Sequence, residues 1–127
     1  MNFTGTDSCG NSPKNMFVAR FEENLINGDR EALAEVVDED CILQIVGSGR
    51  VETSTGRAEV IDALLRIADS KPAAGHLEAA ITHGKAAAAW GQWDYSSDGE
   101  DIRYFSHTLW FRNNKATEFA QIRVFHA

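Results

Sequence analysis

The sequence predicts an α+β fold, a curved antiparallel or mixed sheet backed by three N-terminal helices and able to hold a pocket. Three observations predict it. Apolar residues recur at helical spacing between Phe17 and Val37, and again between Val60 and Ile67. A short apolar strand separates those stretches. Everything beyond His76 reads as strands joined by polar turns.

The elements follow in order. Residues 1–12 are rich in Asn, Thr, Ser and Gly, and read as a flexible N-terminal tail ahead of a single domain, 13–127. Ser12-Pro13 starts a helix, a serine cap followed by proline at the first helical position. Its stripe is Phe17, Val18, Phe21 and Leu25, and Gly28 ends it. Asp29 caps a second helix, Arg30 to Val37, and Asp38-Glu39-Asp40 reads as a solvated acidic turn. Cys41 to Val46 is a buried strand, Gly47-Ser48-Gly49 a turn, and Arg50 to Thr53 a short return. A third helix spans Arg57 to Ala68 and Lys71-Pro72 ends it. The last strands are His76 to His83, Ala86 to Tyr95, Arg103 to Arg112 and Ala116 to Phe125.

Composition narrows the function classes. At 127 residues the chain is large enough for one real core. A formal charge of −7 argues against nucleic acid, whose phosphates need a basic surface. No apolar run is long enough to span a bilayer, and no basic amphipathic stretch suggests a membrane face. The first residues lack the basic–apolar–small pattern of a secretion signal, so a cytoplasmic location is expected. Cys9 and Cys41 have no metal or redox spacing and read as reduced thiols, a bridge between them being the alternative. Neither a phosphate loop, a nucleophile elbow nor zinc spacing is present, so no cofactor or metal is expected.

The late strands are apolar on both faces. Arg103 to Arg112 places Phe105, His107, Leu109 and Phe111 on one side, with Tyr104, Thr108 and Trp110 on the other. A sheet covered by helices on one side and by a second copy of the chain on the other explains this, with Trp90 and Trp110 at the contact. The alternative is one amphipathic sheet with a few surface aromatics.

The motifs Arg20-Phe21-x-x-x-Leu25-x-Asn27-Gly28-Asp29, Val46-Gly47-Ser48, Gly56-Arg57-Ala58-x-Val60-Ile61 and Asp94-Tyr95, with the element order, resemble the nuclear transport factor 2-like (NTF2-like) superfamily. Its cone-shaped, cystatin-like fold is shared by SnoaL-type cyclases, ketosteroid isomerases, an epoxide hydrolase and a dehydratase. The resemblance covers Phe17 to Phe125 and implies a small-molecule pocket on a scaffold that also hosts non-catalytic modules. It does not imply ketosteroid isomerisation. The isomerase's oxyanion tyrosine falls on Phe21, its base on Gln44 or Ile45, and its second oxyanion donor on His107. None of these replacements supplies the same base and donors.

The resemblance implies a pocket lined by Phe17, Phe21, Gln44, Leu65, Trp93, Leu109, Phe111, Phe119, Gln121 and Arg123, with His107 as the catalytic candidate. Imidazole exchanges protons near neutral pH, which suits an acid or base; the alternative is a core histidine bonded to a neighbour. Arg123 and Gln121 can anchor a ligand oxygen. Alternatively Arg123 pairs with Glu118, Glu22 or Glu23. Asp94 with Arg103, or His83 with His107, match the hydrolase and dehydratase sets only in part. The site depends on strand parity, which must aim His107 and Arg123 to the same side.

Overall fold

The structure, a computed structural model, describes residues 2–9, 12–115 and 117–126. The expected strand start at Ala116 and the Cys9 side chain lie outside what is described. Helix α1 (Pro13–Asn27) begins where Ser12 Oγ accepts the Asn15 amide. It ends at Gly28, whose φ of 63° lets its N–H reach the carbonyls of Asn24 and Leu25. Asp29 then caps α2 (Arg30–Val36) by accepting the Ala32 amide at 3.1 Å. Helix α3 (Arg57–Ala68) buries Val60, Ile61, Ala63 and Leu64. Among the described residues no helix is long and apolar enough to cross a membrane.

Seven strands form one sheet: β1 (Asn2–Thr4), β2 (Val37–Gly47), β3 (Arg50–Thr55), β4 (Ala74–His83), β5 (Ala86–Asp94), β6 (Ile102–Phe111) and β7 (Phe119–His126), in the order β1-β4-β5-β6-β7-β2-β3. β2 runs parallel to β7 and β1 parallel to β4; the other pairs are antiparallel. The three helices cover one face, and the core lies between them and the sheet.

Three elements differ from expectation. The tail forms β1 and a 3-10 turn, Thr6–Cys9, against the edge of β4. Gly5 permits this: its φ is 97°, and any side chain there would collide with the Leu77 carbonyl. The acidic turn is part of β2, which bulges between Val37 and Ile42. Asp38 is buried there and pairs with Arg112 at 3.2 Å, while Glu118 bridges Arg112 and Arg57. The third difference is in β7. Trp110 faces Gln121 but Phe111 faces Phe119, so Ala120 is an extra residue in the pairing.

Candidate functional site

That extra residue decides which side chains reach the cone interior. Phe119 points under the helices, and unbroken alternation would bring Gln121 and Arg123 with it. The bulge reverses the parity, so Ile122, Val124 and His126 enter instead and Gln121 and Arg123 emerge on the outer face. The expected placement of Gln121 and Arg123 in the pocket is therefore corrected. Gln44 is opposite Arg123 and lies outside too. Arg123 Nε donates to Gln44 Oε1 at 2.9 Å, and its guanidinium lies 5.6 Å from the Trp110 ring centre. None of Glu118, Glu22 or Glu23 pairs with it.

His107, Trp93, Leu109, Phe111, Phe119, Phe21 and Phe17 do face the interior, and they fill it. The rings of Phe21 and Phe119 meet edge to face at 5.0 Å, and Phe111 stacks on Phe119 at 5.1 Å. Phe17 tilts against both Phe111 and Phe119. Leu65 lies elsewhere, in an open groove of about 780 Å³ between the ends of α1 and α3, with Ile26, Gly28, Ala68 and Pro72.

His107 is 0% exposed and has two partners that sequence reading missed. Its Nδ1 lies 2.5 and 2.8 Å from the two carboxylate oxygens of Glu22, itself 2% exposed. Its Nε2 lies 2.9 Å from Nε2 of His126. Apolar rings enclose the chain of three: Phe105 packs on His107 at 4.7 Å, and Trp93 meets His126 edge-on at 4.9 Å. With Glu22 as carboxylate, which only accepts, the hydrogen it shares with His107 is carried by His107 Nδ1. Burial, and then the neighbouring His107, push the His126 pKa down to about 3, so that ring is neutral at ordinary pH.

A signal for both missed residues exists in the sequence. Glu22 stands four residues from Val18 and from Ile26, on the buried stripe of α1. His126 alternates with the buried Ile122 and Val124. Around the same end of the cone, Tyr95 OH bonds Ser70 Oγ at 2.7 Å, tying the end of β5 to the turn after α3. Arg103 lies 4.6 Å over the Tyr95 ring and is held by Asp101. Asp94 is turned to the loop, accepting from Ser96, so it forms no pair with Arg103. His83 is exposed on the outer face, apart from His107.

On the outer face, register places Trp90, Trp110, Tyr104, Ile81, Ile42, Val51 and Phe125 with Arg123, Asp94, His76 and His83, and the exposed carboxylates Asp40 and Glu78 stand at the bulges of β2 and β4. Cys41, buried in β2, is a free thiol whose pKa burial and then Asp38 push up to about 12.

No family profile matches the sequence, and no curated protein is similar to it in sequence. Solved structures are similar in fold. An NTF2-like protein of unknown function from Burkholderia xenovorans superposes with a TM-score of 0.71 at 19% identity, over 90% of this chain and 82% of that one. An uncharacterised protein with a cystatin-like fold from Silicibacter pomeroyi gives 0.71 at 18% identity, over 89% and 74%. A candidate polyketide cyclase from Sinorhizobium meliloti gives 0.63 at 12% identity, over 85% and 92%. The chain has the NTF2-like, cystatin-like α+β cone fold.

Proposed function

We propose, on the premise of the NTF2-like cone, that this chain is a SnoaL-like small-molecule-binding protein of the cytoplasm, working as a homodimer and without a cofactor. Its site is the cone mouth at the end of the Glu22–His107–His126 chain. The ligand is small and largely apolar, and the chemistry open to the site is proton exchange of the isomerase, cyclase, hydrolase or dehydratase kind. It is not a ketosteroid isomerase: Phe21 is spent on packing Phe119, and Gln44 is on the outer face.

The observation that carries this reading is the carboxylate–imidazole–imidazole chain, buried at Glu22 and His107 and part-buried at His126. Removing one carboxylate and two imidazoles from water is expensive, and apolar packing of equal volume stabilises as well or better. Such a cluster in the cone of this fold is a better candidate for function than for stability. The test is a thermal shift across small aromatic and terpenoid acids and ketones, on wild type and on His126→Gln. At least one compound is expected to raise the melting temperature of wild type, with the rise lost in the variant. No shift from the whole panel would sink the reading.

A second reading is supported by the ring-filled interior: a non-catalytic dimeric interaction module. Both readings share the dimer, supported by the large apolar side chains that the outer face leaves exposed, Trp90, Tyr104, Ile81 and Phe125 among them. Wild type should elute as a dimer on a sizing column, and Trp110→Glu should shift it toward monomer by placing a carboxylate in an apolar contact. A wild-type monomer at high concentration refutes the dimer. A dimer that no compound in the panel stabilises favours the module.

A further inference from the structure

Resting on the reading that the cone mouth takes a small molecule, we propose that Nδ1 of His126 is the atom that meets it, and that one proton on the Glu22–His107–His126 chain turns that atom from acceptor to donor. The ligand class that follows is an apolar molecule carrying an acceptor oxygen, a carbonyl or carboxylate, bound together with a proton.

Hydrogen counting carries the argument. The 2.9 Å gap between His107 Nε2 and His126 Nε2 holds one hydrogen. Glu22 takes the hydrogen on the other side of His107. Without an added proton, His107 Nε2 is a lone pair. His126 must then donate through Nε2, and its Nδ1 is left as an acceptor. With the proton added, His107 Nε2 donates and His126 Nε2 accepts. Neutral His126 then keeps its only hydrogen on Nδ1, which becomes a donor. His126 never needs to become a cation, and its pKa near 3 agrees with that.

The atom is open. Among the described residues Thr108 Oγ1 is the one buried side-chain nitrogen or oxygen without a partner. His126 is bonded through Nε2 only, so its Nδ1 reaches solvent. Nothing else that titrates is bonded to the chain. α1 otherwise carries Lys14, Arg20 and Glu23, and α3 carries Arg57, Glu59, Asp62 and Arg66. Arg57 is bonded to Val37 and Glu118, and Asp62 to Arg30. Asp98 and Asp101 are exposed, and Arg103 is held by Asp101. β2 presents Leu43 and Ile45 on this face, and β5 presents Trp93.

The first test needs no ligand. Histidine nitrogen NMR on the full chain, between about pH 5 and about pH 9, should show His126 Nδ1 change from bare to protonated as pH falls. His107 Nε2 should change at the same midpoint, and His126 should stay neutral. A static His126, or one that becomes doubly protonated, overturns the proposal. The second test titrates benzoate by calorimetry in buffers of different ionisation enthalpy. Its affinity should fall about tenfold per pH unit above the midpoint, with one proton taken up on binding below saturation of the chain. Benzoate affinity that stays flat across the midpoint overturns the switch even though a ligand binds. A ligand-free switch with no binding by benzoate or by the wider panel removes the binding reading and leaves the switch in place.

Discussion

Glu22 is stable in its place only while His107 answers it. Breaking a buried hydrogen-bonded pair from one side leaves an uncompensated polar group, whereas replacing both sides with apolar groups does not. Glu22→Ala should therefore lower unfolding stability by about 1 to 3 kcal/mol, and Glu22→Met with His107→Leu should lower it less; urea titration reads both. An equal loss in single and double variants would mean that the pair acts through volume alone. His126 adds a pH term. Its folded pKa of about 3 lies below the usual histidine value of about 6.5, so the unfolded chain takes the proton first. Stability from this group is full above about pH 6.5 and falls by up to about 1.4 kcal/mol per pH unit on acidification, until the folded ring protonates near pH 3. His126→Gln should flatten that part of a stability–pH curve. His107 was legible as an interior residue because Phe105, Leu109 and Phe111 alternate with it cleanly. Its partners were harder to read. A glutamate on an apolar stripe has a low prior of burial, and only the opposing imidazole justifies it.

At the scale of elements, punctuation residues made the helices readable. Ser12-Pro13, Gly28 and Asp29 act within a few residues, and the caps they predict are the caps that form. β7 was not readable, because its bulge depends on how it pairs with β6 and leaves no mark in the residues of β7 alone. Deleting Ala120 should bring that dependence into view. Without the extra residue Gln121 follows Phe119 directly, so continuous alternation keeps Phe119, Ile122 and Val124 under the helices and Gln121 and Arg123 outside, and cooperative unfolding should survive in circular dichroism. A deletion variant that loses cooperative unfolding would contradict the register. β1 was missed for a similar reason, since three residues have no periodicity and dock only because β4 is there. Gly5→Val should strain the left-handed φ by about 1 to 2 kcal/mol and push against Leu77. Amide exchange at Phe3 and Thr4 should accelerate, with little change at β6.

For the whole molecule, helices that cover one side of the sheet leave the other as a broad surface bearing exposed aromatic and aliphatic side chains. The three helices carry five basic and six acidic residues, so most of the net charge of −7 lies on the strands, turns and loops. Two such bodies repel through their net charge; approaching plate to plate, they are also drawn together at short range by water leaving the tryptophans. Dissolved ions weaken the first force within a Debye length of about 10 Å at 0.1 M, and barely touch the second. Self-association should accordingly tighten as sodium chloride is added, the reverse of a union built on opposite charges.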